Sequence, residues 1–397
     1  MAPFALLVVG VCHGLRRFFE FSFVVVPFRF GTLIAYALRD IRNDPEKGQS
    51  KSRKRVIRLA AFDTPMGNHE VFRWLGGLAS WIRVPRTLML VINQICQRVP
   101  SLTYLMAKSP TNAEIIALVT STRPIPIPEH ARDLAASIEK SVETFKSKMV
   151  LGLIAREHGD LLSKMSYRSD LRPAAIHHAD GNHYRDVSIS HYRTMLEAVQ
   201  PLGVSVVRVG NYLETSLEDA PSNYWEYAMS EFNSHLGDIA VASLVDAVIS
   251  SSNGLDLLYH VIGKPTIGVN VPWVDSNYRW MHLVLPKHPV VRLISGPQEL
   301  PLIALAGPDC DWSRFRPTWR GHIIDFEENS PAEIEEAVLL ALSTLGSIEA
   351  KQHEVEQCRP LWMEFWKEAE NGTMRIDQKQ DQPTILLPTS ARRRFLG

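Results

Sequence analysis

Three short segments in the second half of the chain carry residue types suited to holding an anion. Arg156 follows the apolar run at 150–154. A guanidinium at the C-terminal end of a parallel strand stands where such sheets bind ligands, and it can grip a phosphate through two hydrogen bonds. The plainer reading is a surface arginine partnered by Glu157 and Asp160. Ser250-Ser251-Ser252-Asn253-Gly254 joins a strand to a helix. Its small side chains let a ligand approach the backbone, and the helix N-terminus offers free N–H groups and partial positive charge. The plainer reading there is an ordinary serine or asparagine cap. Val206-Val207-Arg208-Val209-Gly210 again ends a strand in an arginine and a glycine, or else marks a turn with Gly210 at positive φ. Together the three predict two arginines and one helix end at the same edge of one sheet, a site for an anionic nucleotide.

Two further signals are discounted. His177, His178 and His183 sit in a Gly/Asp loop rather than on one helix face, so their spacing does not suit a metal. Asp309-Cys310-Asp311 matches a D-x-D pattern that holds divalent ions elsewhere. Here it follows Gly307-Pro308, without the strand that should present it. No metal is expected.

The elements that must position these residues follow from periodicity. Apolar runs at 23–28, 56–62, 115–119, 150–154, 204–209, 247–250 and 266–269 read as strands. Helical spacing runs through 72–105, interrupted by Pro85 and Pro100, and through 131–148. It recurs at Tyr192, Met195, Leu196 and Val199, then over 236–244 and 255–262. Ser330-Pro331-Ala332-Glu333 is a capping box that opens a helix carrying Ile334, Val338 and Leu342. Strands alternating with helices predict an α/β protein with parallel sheets. Arg123-Pro124-Ile125-Pro126-Ile127-Pro128-Glu129 is a stiff extended break. It divides a Rossmann-like domain at 20–130 from a second at 148–345, followed by a helix at 346–370. The two are expected as doubly wound domains facing across a cleft.

The 397 residues suit two domains of roughly 150–200 residues each. With 43 basic and 43 acidic side chains the formal charge is zero, which argues against a nucleic-acid partner. Four widely spaced cysteines suit neither a disulfide framework nor a zinc knuckle and point to a reducing cytoplasm. The apolar segment 1–19 lacks the basic start and cleavage site of a secretory signal. Three readings stand for this end: a first strand and helix of the globular domain, an arm on a membrane surface with Arg16 and Arg17 near headgroups, or a spanning helix. Residues 371–397 read as a polar, solvated tail.

The second half resembles a family of bacterial glycosyltransferases with a GT-B-like arrangement, found among surface-polysaccharide genes. The resemblance covers 150–342 and rests on an ordered series. It begins with a strand ending in Arg156, then Arg185-Asp186-Val187-Ser188-Ile189-Ser190-His191-Tyr192 for R-N-x-D-I-x-x-Y. Val206-Val207-Arg208-Val209-Gly210 stands for V-I-R-M-G and Glu226-Tyr227 for D-Y. Ser230-Glu231-Phe232 with Asp238 follows, then Ser251-Ser252-Asn253-Gly254-Leu255-Asp256. Lys264-Pro265 leads to Asn270, and Asn329-Ser330-Pro331-Ala332-Glu333-Ile334 closes the series. Asp186, Ser188 and Glu226 depart from the family's asparagine, aspartate and aspartate. In the first half, Arg29-Phe30-Gly31-Thr32-Leu33 is similar to an R-x-G-H-L turn, and Asn68 to an asparagine after the second strand.

The resemblance implies a metal-independent transferase that takes a nucleoside-diphosphate sugar as substrate and needs no cofactor. The acceptor would be a glycan or a lipid-linked one, on the side of Arg29, Gly31, Thr32 and Asn68. Arg156, Arg208, Gly210, Ser251, Ser252, Asn253 and Gly254 would hold the diphosphate. Asp256 and Asn270 would meet the ribose or base. The base for the acceptor hydroxyl is open among Asp160, His183 and Asp186. The work would be done in the cytoplasm, with peripheral membrane contact through 1–38. An epimerase or hydrolase of the same fold, and a non-catalytic nucleotide-sugar-binding protein, are the alternatives.

Overall fold

The computed structural model describes residues 2–14, 19–26, 55–62, 68–78, 81–83, 86–99, 124–156, 186–210, 215–251, 254–272, 281–312, 317–369 and 385–396, with positions 34, 37, 38, 41 and 102 between them. The chain forms two compact units, Met1–Ala131 and Arg132–Gly397. It is a mixed α/β protein.

In the first unit, β1 (Phe19–Val26), β2 (Arg55–Phe62) and β3 (Trp81–Arg83) form a parallel sheet in that order. Helix α1 (Ala2–Gly14) covers the segment expected as an arm. Ala5, Val9 and Cys12 recur on one stripe and bury themselves against Leu88, Met89, Ile92 and Cys96 of α3 (Arg86–Arg98). That stripe docks the helix, while Leu6, Leu7 and Val11 stay exposed on its other side. Between β2 and β3, α2 (His69–Leu78) packs Val71, Trp74 and Leu75, and Trp74 Nε1 donates to Pro126 O at 3.1 Å. The strand expected at 115–119 lies outside the described residues. The helix expected over 131–148 is α4 (Glu129–Ser141), which gives way to a single 3-10 turn, Glu143–Lys146.

The second unit is built on six parallel strands: β4 (Met149–Ile154), β5 (Val204–Arg208), β6 (Tyr224–Glu226), β7 (Ala247–Ser250), β8 (Thr266–Val271) and β9 (Met281–Pro286). Their order is β6-β5-β4-β7-β8-β9. The interior strands are apolar on both faces because helices cover both. On one side lie α5 (Arg193–Val199) and, later in the chain, α8 (Pro331–Leu345), packed on Leu151, Leu153, Val206, Ile249 and Val269. The intervening helices are α6 (His235–Leu244) and α7 (Asp256–Val261), and α7 lays Tyr259 against Gly152. The capping box at Ser330 forms as its sequence predicts, with Ser330 Oγ accepting from Glu333 N and Glu333 Oε2 from Ser330 N.

Two parts differ from expectation. Residues 288–327 do not continue the parallel sheet. They form β10 (His288–Leu293), β11 (Gly296–Glu299), β12 (Cys310–Asp311), β13 (Thr318–Trp319) and β14 (His322–Glu327), an antiparallel sheet in the order β11-β10-β14-β13-β12. Two-residue turns build it. Arg320 (φ 49°) and Gly321 (φ 82°) both take the left-handed region that a twisted hairpin of this length demands.

The tail expected to be solvated is also corrected from Ile385 onward. Ile385, Leu386 and Leu387 are buried, and Leu386 bridges to Leu283, covering the outer edge of β9. Trp362 of α9 (Ile348–Ala369) donates from Nε1 to Ile385 O at 2.9 Å. Phe395 of α10 (Thr389–Leu396) packs edge-on against Trp362 at 5.6 Å. Arg392 and Arg394 pair with Glu354 and Glu333. Three apolar residues in a polar stretch are enough to anchor the end because a strand edge is waiting for them.

Candidate functional site

The strand order places a switch point in the second unit. The chain starts at β4, moves outward through β5 and β6, then returns to β7 on the other side of β4 and continues outward. The connections after β4 and β7 therefore part in opposite directions, and the carboxyl ends of those two strands are the edge where such sheets bind ligands.

Arg156 and Ser251 meet at that edge. Ser251 N donates to Ile154 O at 3.2 Å, and Ser251 Oγ accepts from Arg156 N at 3.3 Å. Arg156 Nε lies 3.4 Å from Asp186 Oδ1, and both side chains are mostly buried. Val187 N donates to Arg156 O at 2.8 Å, so the chain returns to this edge beside β4.

A lysine that sequence reading passed over completes the group. Lys287 follows β9 at the same carboxyl edge and is 2% exposed. Its Nζ donates to Asp186 O at 2.7 Å, and its own N–H is held by Val271 O. Burial pushes the ammonium down to about 8, against the pull of Glu328 and Asp186, with the charge of Arg156 adding to the depression. Glu328, just past β14, fixes the other side. Its Oε2 accepts from Ser188 N at 2.9 Å and lies 3.1 Å from His191 Nδ1. Behind it, Asn270 sits at φ 57° with Oδ1 accepting from Asn329 N at 2.7 Å, and Asn329 Nδ2 donates to Pro286 O. Tyr192 is fully buried beside Asn270, and burial raises its hydroxyl above the usual tyrosine range.

Beside this cluster a cleft of about 470 Å³ opens between residues 186–190 and 215–218, closed by Arg193 and Glu328. The Arg193 guanidinium is already spent on the carbonyls of Glu218 and Asp219.

The other expected site residues are placed as follows. Arg208 is fully buried. Its Nη1 donates to Thr215 O at 2.6 Å and lies 3.4 Å from Glu226 Oε1, which also accepts from Leu217 N and the Tyr224 hydroxyl. That ties β5, β6 and the segment at 215–217 together. Gly210 takes positive φ (136°), as in the turn reading. Asp256 is buried and accepts from Ser250 Oγ. Gly254 is exposed before α7, a helix of six residues. Asn68 caps α2, accepting from Glu70 N and Val71 N at 3.0 and 2.9 Å. Arg29, Gly31, Thr32, Asp160, His183, Ser252 and Asn253 lie outside the described residues, as do His177 and His178. Asp309 is tied to Arg320 at 2.8 Å, and Cys310 beside it is buried, its thiol pushed up to about 12 by that burial. Among the described residues no cluster of three His, Cys, Asp or Glu is set to hold a metal ion, and no helix is long and apolar enough to cross a membrane.

No known protein family and no curated protein matches the sequence. Two solved structures share its outline at a distance. One is a glycosyl transferase family 9 protein from Veillonella parvula DSM 2008, 11% identical over 63% of this chain and 81% of its own, with a TM-score of 0.38. The other is the iron-containing dodecameric glycosyltransferase TibC from enterotoxigenic E. coli H10407, 8% identical over 64% and 60%, with a TM-score of 0.31. Likenesses this distant carry no argument about chemistry. The site itself does.

Proposed function

We propose that the protein is a glycosyltransferase. It moves a sugar from a nucleoside-diphosphate donor held by the second unit to a glycan or lipid-linked acceptor in cell-envelope polysaccharide synthesis. The observation that carries this reading is the meeting of Arg156 with Ser251 at the switch point, 3.3 Å apart from main-chain nitrogen to hydroxyl. It supports a phosphate-bearing ligand at the edge where parallel sheets bind them, and the ordered motif series of the sequence points to a sugar nucleotide.

Departure of a nucleoside diphosphate leaves negative charge that fixed donors must stabilise. Arg156 and Lys287 supply two cations within one hydrogen-bonded group, and Asp186 orients the first. Helix α7 is too short to contribute much dipole, so the side chains carry the load. The acceptor side belongs to the first unit, where Arg29, Gly31 and Thr32 are the candidates. The exposed apolar face of α1, with Leu6, Leu7 and Val11, suits contact with the inner face of a membrane that carries the acceptor.

The test is release of nucleoside diphosphate when the protein is incubated with UDP-, GDP-, CDP-, ADP- and dTDP-sugars and a lipid or glycan extract. Wild-type protein releases nucleoside diphosphate and Arg156→Ala does not, while both give the same circular dichroism. No release by wild type, or equal release by the variant, overturns the reading.

A further inference from the structure

We infer that the cleft beside the Arg156 cluster takes a neutral glycosyl unit, with Glu328 hydrogen-bonding its hydroxyls. This rests on the transferase reading for its place in a reaction, but the cleft's own chemistry argues it. The volume, about 470 Å³, falls among small-molecule pockets, roughly 300–1,000 Å³. Its floor is apolar, from the buried side chains Val187, Ile189 and Leu217. Its polar groups are hydroxyls and carboxylates, led by Ser188, Ser216 and Glu328. The arginine in its wall, Arg193, is committed to two main-chain carbonyls. Among the described residues that line it, an anion has no cation waiting there. A polyol matches the set, since each hydroxyl donates to a carboxylate and accepts from a serine, and its C–H face covers the apolar floor.

Glu328 is set for this. One oxygen, Oε2, is fixed by Ser188 N at 2.9 Å and stands 3.1 Å from His191 Nδ1, while Oε1 accepts no hydrogen bond from any described residue. The carboxylate is thus oriented before a ligand arrives, which spares the ordering cost of binding. Asp186 lines the cleft and also faces Arg156, so the carboxylate-lined pocket and the cationic edge adjoin. A glycosyl diphosphate bridges the two.

Binding of methyl hexopyranosides and methyl N-acetylhexosaminides to the full chain, followed by saturation-transfer NMR, tests the pocket without any donor. Wild-type protein is expected to bind at least one. Glu328→Gln keeps the shape and removes the charge, and should weaken that glycoside about tenfold, the scale of a charge-assisted hydrogen bond. Ser216→Trp fills the cleft and should abolish binding, with circular dichroism confirming the fold of each variant. No glycoside bound, or binding indifferent to both substitutions, overturns the inference. UDP, GDP, CDP, ADP and dTDP titrated on wild type test the diphosphate site separately. Glycoside without nucleotide sustains the pocket and sinks the transferase, and nucleotide without glycoside does the reverse.

Discussion

Lys287 Nζ donates a 2.7 Å hydrogen bond to the main-chain oxygen of Asp186, a residue 101 positions earlier in the chain. The bond joins the carboxyl end of β9 to the segment that returns beside β4, and brings a buried ammonium to the group around Arg156. Burial holds that ammonium down to about 8. If it helps to stabilise a leaving diphosphate, kcat/KM should fall as pH rises through about 8, because the charged form is lost above that value. Lys287→Arg keeps its charge across the range and should flatten this alkaline limb. A wild-type profile level from pH 7 to 10 would remove Lys287 from the chemistry.

The same lysine makes a stability prediction of definite sign. Its folded pKa is depressed below the ordinary 10.5. The unfolded chain therefore binds the extra proton between about 8 and 10.5, and the cost of the buried charge is fully present below 8 and relieved as pH rises through that window. Relative to Lys287→Met, wild type should gain stability from pH 7 to pH 10, by at most about 3 kcal/mol. Urea denaturation at the two pH values measures it. A difference that widens in favour of the variant contradicts the assignment.

Arg208 and Glu226 form a nearly dry pair at the β5–β6 edge. Removing one partner of a buried pair strands the other, at a typical cost of about 3–5 kcal/mol. Arg208→Met is expected to lose that much by chemical denaturation. A variant of undiminished stability that no longer binds nucleotide would return Arg208 to the diphosphate site.

The chain end is structural. Deleting residues 385–397 uncovers Leu283, Trp362 and Phe365 and removes the buried side chains Ile385, Leu386, Leu387 and Phe395. At about 1.5–3 kcal/mol for each buried apolar side chain, the loss should exceed about 5 kcal/mol. Cooperative thermal unfolding of the truncated protein within a degree or two of wild type would show the end to be a solvated tail after all.

The strands β4, β5, β7 and β8 were legible in the sequence because a strand covered on both faces is predominantly apolar, and short breaks separate them from their helices. The five strands of 288–327 were not, since they are short and half-exposed, and their identity lies in turns such as Arg320-Gly321. Arg156 and Ser251 were found because each lies within two residues of a strand's end. Lys287 and Glu328 were missed because only the strand order, which no local pattern encodes, carries the ends of β9 and β14 back to β4. Arg208 shows the converse. A sequence tells that an arginine ends a strand, but not that Glu226, 18 residues on, will turn its guanidinium inward. The motif Glu226-Tyr227 with Asp238 also resolves into internal fastening, the Tyr227 hydroxyl lying 3.1 Å from Asp238 Oδ1.

On the proposed function, the edge holding Arg156, Ser251 and Lys287 binds a nucleoside diphosphate. A panel of UDP, GDP, CDP, ADP and dTDP, each read as a shift in the thermal midpoint of wild type and of Arg156→Ala, tests it most directly. One diphosphate should raise the wild-type midpoint, by the linkage of binding to folding, and leave the variant unmoved. No shift with any of the five, or the same shift in both proteins, would contradict it.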